Sequence, residues 1–228
     1  MNVEVEAVVE AVVRELKDRM MVEVEASGRH VHLCREDVER LFGRGYRLTK
    51  VRDLSQPGQY VCKERVSLTG PKGTIHNVVI LGPERKETQA EISMTDSLVL
   101  GIRPPVRLSG DIAGTPGITI TNGDRQIVTD KGVIIAKRHM HITPEDAARL
   151  HVKDKEALKI KVYGSRPVIF EDTIARVSSE FQTYVHIDYD EANACGFEKV
   201  PSAALYGKTG ERRLCGEYRE VGSDGQSD

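Results

Sequence analysis

The chain has 228 residues, about one and a half times the ~150-residue domain norm, so it holds one large or two small domains. Its 33 Lys and Arg against 35 Asp and Glu leave a net charge of −2, which excludes a polybasic surface made for nucleic acid or anionic membrane. With no Trp, four Phe and seven Tyr it has too few rings for a stacking platform on single strands, whereas 39% hydrophobic residues suffice for a core.

In chain order, residues 3–20 repeat apolar positions at helical spacing, Val5, Val8, Val9, Val12, Val13 and Leu16, and predict an amphipathic helix. Its valine pairs lower intrinsic helicity, so the helix needs a partner surface. From Met21 the texture changes to short β-type runs, VEVEAS, VSLTG, HNVVILG, GITITN, VIIAKRHMHI, VIFEDTIARV and TYVHID, set apart by Gly, Pro, Asn or Asp. Many short strands at such spacing favour barrels or sandwiches over alternating strand and helix. From about Glu198 the sequence turns polar and Gly-rich and ends in GSDGQSD, which predicts a loose tail. Cys34, Cys62, Cys195 and Cys215 are scattered and form no Cys-x-x-Cys pair, and neither a signal peptide nor a membrane-length apolar run is present. A reduced, cytoplasmic chain is expected, with no membrane or nucleic-acid partner.

An internal repeat organises the middle of the chain. Residues 29–41, RHVHLCREDVERL, align without gaps on residues 138–150, RHMHITPEDAARL, at an offset of 109, and seven of thirteen positions are identical. Each copy reads as a strand carrying His-x-His followed by a helix. Thr143 suits the N-cap, Pro144 the first helical position, and Glu145 and Asp146 the positive helix start, while Cys34 is a poorer cap at the matching place. Two related β-rich halves, residues 22–109 and 110–197, are therefore expected between the N-terminal helix (1–21) and the tail (198–228).

Side chains in a strand alternate faces, so His30 and His32 point one way, as do His139 and His141. Such pairs offer two nitrogens each to a zinc-like ion and leave room for a third ligand. Spacing leaves that third ligand open: His186, His76, His151 and Glu91 are all available. Arg85, in GPERKETQAEIS, offers a planar fork for phosphate, and LSGDIAGTPGITI could turn backbone N–H groups toward an anion. No nucleotide-binding Gly-rich loop and no Gly-x-Ser-x-Gly elbow occurs.

Five segments, SGRHVHL (27–33), GPERKETQAEIS (82–93), LSGDIAGTPG, AKRHMHITPEDA (136–147) and VHIDYDEANACG (185–196), together resemble the PduL-type phosphate acyltransferases, also called phosphate propanoyltransferases. The resemblance spans residues 22–197 in order. It implies a mainly β fold of two pseudo-symmetric β-barrels with short capping helices. It also implies reversible conversion of acyl-CoA (propanoyl- or acetyl-CoA) and phosphate to acyl phosphate and coenzyme A at a two-zinc site between the barrels. It places one Zn²⁺ on His30, His32 and Glu91 and the other on His139, His141 and His186, leaving His76 and His151 as ordinary residues. Arg85 falls on its phosphate-binding arginine, with Ser109 near the phosphate. Ser27, Gly28, Arg29, Lys72, Val79 and Asn193 match positions that contact coenzyme A. Members of that family in bacterial microcompartments carry a short N-terminal helix that directs encapsulation, so shell or core proteins are expected partners of residues 3–20, and a homo-oligomer is expected. Direct attack by phosphate is favoured over an acyl-enzyme on Cys34. A dinuclear zinc hydrolase and a non-catalytic, shell-associated metal protein are the competing readings of the same residues.

Overall fold

The computed structural model describes residues 21–197 and 202–208, with residues 5, 8, 9, 11 and 12. The chain begins with β1 (Met21–Ser27), β2 (His30–His32), α1 (Arg35–Phe42), β3 (Lys50–Asp53), β4 (Tyr60–Thr69), β5 (Thr74–Gly82), β6 (Gln89–Ile92) and α2 (Met94–Leu100). There follow β7 (Val106–Arg107), β8 (Thr119–Asn122), β9 (Arg125–Val128), β10 (Val133–Ala136), β11 (His139–Ile142) and α3 (Pro144–Arg149). The last elements are β12 (Ala157–Val162), β13 (Val168–Val177), β14 (Tyr184–Asp188), α4 (Tyr189–Cys195) and β15 (Ser202–Lys208).

These strands form two barrel-like units. One is a nine-stranded sheet in the order β7-β10-β6-β2-β5-β4-β8-β9, with β3 paired to β4; the other is a closed barrel, β1-β14-β11-β13-β12-β15. Each curls around its own core, the first built on residues such as Val31, Leu33, Leu68 and Ile120, the second on Met140, Ile142, Leu158 and Val185. The mainly β, two-barrel expectation describes this architecture, although only one of the two units closes.

The division of the chain at residues 109 and 110 does not match the sheets. Strands β8 to β10, beyond that boundary, belong to the first sheet, and β1 belongs to the closed barrel. In each half the strand just before the His-x-His strand lies in the other unit's sheet: β1, which precedes β2, lies parallel to β14, and β10, which precedes β11, lies parallel to β6. The run VIIAKRHMHI is consequently two strands. The chain leaves one sheet after Ala136 and enters the other at His139, as it does between Ser27 and His30. Apolar faces drive both insertions, since Val22 and Val24 are buried in one core and Val133 in the other.

The tail expected from Glu198 contains a strand at Ser202–Lys208. β15 pairs antiparallel with both β1 and β12 and closes the barrel. Ala203 is buried and Leu205 packs against the core, so two inward apolar residues are enough to seat a strand between two open edges. Residues 198–201 and 209–228, and with them the remainder of the tail, lie outside the described residues.

The helices start as their caps dictate. Thr143 accepts the Asp146 N–H through its side chain, whereas Cys34 makes no side-chain cap to α1. Capping boxes start α2 (Ser93 with Asp96) and α4 (Asp188 with Glu191). At the N-terminus the described residues 5, 8, 9, 11 and 12 are helical, and Val5, Val8, Val9 and Val12 are exposed. The rest of the helix expected over 3–20 lies outside the described residues.

Candidate metal centre

Strand alternation positions the first group. Val31 and Leu33 point into the core, so His30 and His32 face the opposite side of β2. Across the antiparallel β2–β6 pair, Glu91 lies directly opposite His30 and Gln89 opposite His32. The Nε2 atoms of His30 and His32 stand 3.6 and 3.8 Å from Glu91 Oε1. Their Nδ1 atoms donate to backbone carbonyls, Gly28 O at 2.8 Å and Leu81 O at 3.2 Å. A carbonyl can only accept, so each Nδ1 carries a proton and Nε2 is the ring atom turned toward Glu91.

The second group repeats this plan, with its His-x-His pair 109 residues after the first. Met140 and Ile142 point into the barrel core, and His186 lies opposite His139 across the antiparallel β11–β14 pair. His139 Nδ1 donates to Lys137 O at 2.9 Å, the carbonyl two residues back, as with His30 and Gly28. His141 Nδ1 is 3.2 Å from His186 Nε2, and the Phe181 ring packs on His141 with centroids 4.1 Å apart. Beside His186 stands Glu25, 3.7 Å from its Nδ1 and itself bonded by the Ser55 hydroxyl at 2.6 Å.

In each group the potential ligand atoms lie within 4.8 Å of one another. A tetrahedral zinc with bonds of ~2.0–2.1 Å needs ligand atoms about 3.3 Å apart, so small side-chain movements would suffice. The donor sets fit zinc: two imidazoles and a carboxylate in one group, three imidazoles in the other.

The electrostatics fit as well. Burial, with His30 and Arg85 nearby, pushes His32 well below its usual range, and burial with His139 and Arg176 holds His141 at about 3. Burial also lowers His139 and His186. Neutral imidazole is the form that ligates a metal. Burial works against the charged forms of His30 and Glu91 too, but their mutual attraction wins, raising His30 and holding Glu91 well below the carboxylate range. The Glu91 carboxylate also acts on His139 and His186, which places the two groups across one space from each other.

Both groups line one cavity of about 840 Å³, whose wall contains Ser27, Gly28, Arg29, Val79, Arg85 and Ser109. Lys72 and Asn193 are not brought there. Lys72 is exposed on the turn between β4 and β5, with its stem against Gly101, and Asn193 is exposed on α4. Half-buried Arg85 donates to the Ser109 hydroxyl at 2.8 Å, and Ser109 donates to Glu91 Oε1 at 2.6 Å. Ser109 thus joins the arginine to a candidate ligand. Cys34 lies outside the cavity wall, and burial raises its thiol pKa. His76 and His151 are exposed, with neither in the wall.

Sequence reasoning missed several residues here. Gln89, two residues before Glu91 on the same face of β6, donates to Glu91 Oε1 at 2.6 Å, and period-two reasoning around Glu91 would have found it. Arg176, a cation inside the apolar run VIFEDTIARV, lies beside His141 in register and lines the cavity opposite Arg85's half. Gln56 reaches from the first unit to the second, donating to Gln182 O at 3.1 Å beside His186. No local pattern announces the latter two, because loop and sheet crossings bring them in.

Residues 23–198 match the family described as phosphate propanoyltransferase. The phosphate propanoyltransferase of Clostridioides difficile strain 630 is 57% identical over 201 residues, covering 88% of this chain and 96% of that protein. That of Listeria monocytogenes is 58% identical over 203 residues, covering 89% and 95%. That of Thermotoga maritima is 58% identical over 172 residues, covering 75% and 82%. A family match over residues 23–198, with relatives 57–58% identical over most of the chain, shows that this protein belongs to the phosphate propanoyltransferase family of acyltransferases.

Proposed function

We propose that the chain transfers an acyl group, propanoyl or acetyl, reversibly between coenzyme A and phosphate, with one Zn²⁺ held by His30, His32 and Glu91 and a second by His139, His141 and His186. The carrying observation is that two buried, mostly neutral ligand groups and two half-buried guanidinium groups, Arg85 and Arg176, share one cavity. When bound, zinc would supply Lewis-acid polarisation of the thioester carbonyl and a seat for the sulfur.

Arg85 binds phosphate through the guanidinium nitrogens not used by Ser109 and aims one oxygen at the carbonyl carbon. Arg176, whose side chain makes no hydrogen bond among the described residues and sits 5.6 Å from the Phe181 ring centre, adds a second cation to the same space. The new bond joins phosphate oxygen to the acyl carbon, the carbon–sulfur bond breaks, and the proton carried by hydrogen phosphate ends on the coenzyme A sulfur. No enzyme nucleophile takes part. Ser27, Gly28, Arg29 and Val79 line the approach for coenzyme A, while Tyr189 packs over Gly28, where an added Cβ would come within 2.8 Å of its ring. Holding both substrates in line supplies a large part of the acceleration. Metal removal with a chelator should abolish transfer and readdition of zinc should restore it; full activity in metal-free protein contradicts the reading.

The exposed valines near the N-terminus support a docking role for residues 3–20 toward microcompartment shell or core proteins. A chain starting at Met21 should keep its activity and stop co-purifying with shell proteins; retained co-purification contradicts that role.

A further inference from the structure

The arginine that begins each copy of the repeat stands one residue before its first histidine, and in neither copy is it one of the proposed metal ligands. The structure gives both arginines the same partner position. Arg29 Nε lies 2.9 Å from both carboxylate oxygens of Asp96, and Nη2 lies 2.7 Å from Oδ1. Arg138 pairs through Nη1 with Glu191 Oε1 and donates from Nε to Glu171 O at 2.7 Å. Asp96 and Glu191 occupy equivalent places: each closes the capping box of the helix that follows the third-ligand strand, and each lies five residues beyond that ligand, Glu91 or His186.

We infer that Arg29 and Arg138 are positioning residues, each locking its His-x-His strand to the helix cap beyond the third ligand and so fixing the width of one ligand triad. This inference rests on the two-metal reading of the site.

Four observations support it. The arrangement occurs twice, in halves that share seven of thirteen residues, with the same spacing at both ends. Asp96 is only 3% exposed, so the fork on it is unlike a surface ion pair, and removing the arginine would leave a buried carboxylate short of a partner. The capping boxes do not need the arginines, because Ser93 and Asp188 with their N3 acids satisfy the helix starts. The guanidinium therefore joins strand to helix and does not build the helix. The two caps also meet each other, Thr95 N–H donating to Asp190 Oδ2 at 2.8 Å. A guanidinium suits this task better than an ammonium: Arg29 forks onto Asp96, and Arg138 divides its nitrogens between Glu191 and the Glu171 carbonyl, each fixing direction as well as distance.

Arg29 also lines the cavity, so a direct contact to coenzyme A is the competing role. Arg138 is absent from the cavity wall and serves as the internal control.

The test strips the full-length protein of metal and titrates zinc back against a chromophoric chelator. In a His139→Ala background, where only the first triad is intact, Arg29→Gln is expected to weaken zinc binding about 10–100-fold. Arg138→Gln should leave that site unchanged within about twofold. In a His30→Ala background the two arginines exchange effects. Should a histidine variant fail to fold, Arg29→Lys and Arg138→Lys in the wild-type chain should each weaken one of two zinc equivalents, by less than the glutamine changes do. Unchanged affinity in folded arginine variants, equal weakening of both sites by either arginine, or an Arg29→Gln effect confined to the KM for coenzyme A overturns the inference. A wild-type chain that takes up no zinc overturns the metal reading and this inference with it.

Discussion

At the residue scale, Arg85 carries the sharpest functional expectation. Its guanidinium is half-buried and, among the described residues, makes one side-chain hydrogen bond, to Ser109, so its remaining donors are free for an anion. Arg85→Ala should raise the KM for phosphate and lower kcat together while leaving zinc content intact; steady-state kinetics with unchanged phosphate dependence would remove it from this role. The histidines carry a pH expectation for metal-free protein. Burial holds His141 at about 3, so at pH values between there and the ordinary imidazole value the unfolded chain takes a proton that the folded chain refuses, and stability falls as pH drops. His32, His139 and His186 act in the same direction, and the depressed Glu91 adds a loss on further acidification. His30, raised by Glu91, works the other way, as one group against four histidine-type losses of which burial is the leading cause in each. The chelated protein should therefore melt at least about 5 °C lower at about pH 5 than at about pH 7 by calorimetry, and a flat or rising melting temperature contradicts the assignment.

At the element scale, the two copies of the repeat differ most at their helix starts. Thr143 caps α3 with its hydroxyl, and Cys34 leaves α1 uncapped by a side chain. Cys34→Ser should stabilise the protein by about 0.5–1 kcal/mol in denaturant unfolding and leave turnover unchanged. Loss of turnover, with an acyl group trapped on the wild-type thiol, would replace direct attack by a covalent route. β15 makes the second element-scale case. It covers the edges of both β1 and β12, so a chain ending at residue 197 should aggregate and lose zinc at the His139 group; a soluble truncated protein with full zinc content contradicts that role. The same strand shows where sequence reading stops. VIFEDTIARV is rich in β-branched residues and marks β13 to its ends, whereas SAALYGK has no β-branched residue and two alanines in its short apolar run. Its strand conformation comes from two waiting edges and not from its own propensity.

At the scale of the whole molecule, the repeat told that there are two halves but not that the strand before each His-x-His strand inserts in the other unit's sheet. A turn such as Gly28-Arg29 or Lys137-Arg138 carries no local mark of which sheet comes next, because that choice depends on which apolar face is open elsewhere. The ligand pairs were legible for the opposite reason: His-x-His needs only the period of a strand to put both rings on one face. Glu91 and His186 could be placed only through resemblance, since their register opposite His30 and His139 is set after long intervening segments. The interlocked strands bring the two ligand groups to one cavity, and the central claim is that this cavity joins phosphate to an acyl group taken from coenzyme A. The most direct test measures thiol released from propanoyl-CoA by the full-length protein, with and without phosphate, before and after chelation. Release that requires both phosphate and the chelatable metal, with acyl phosphate formed in equal amount, is the predicted result; release that proceeds without phosphate, or undiminished after complete metal removal, contradicts the account.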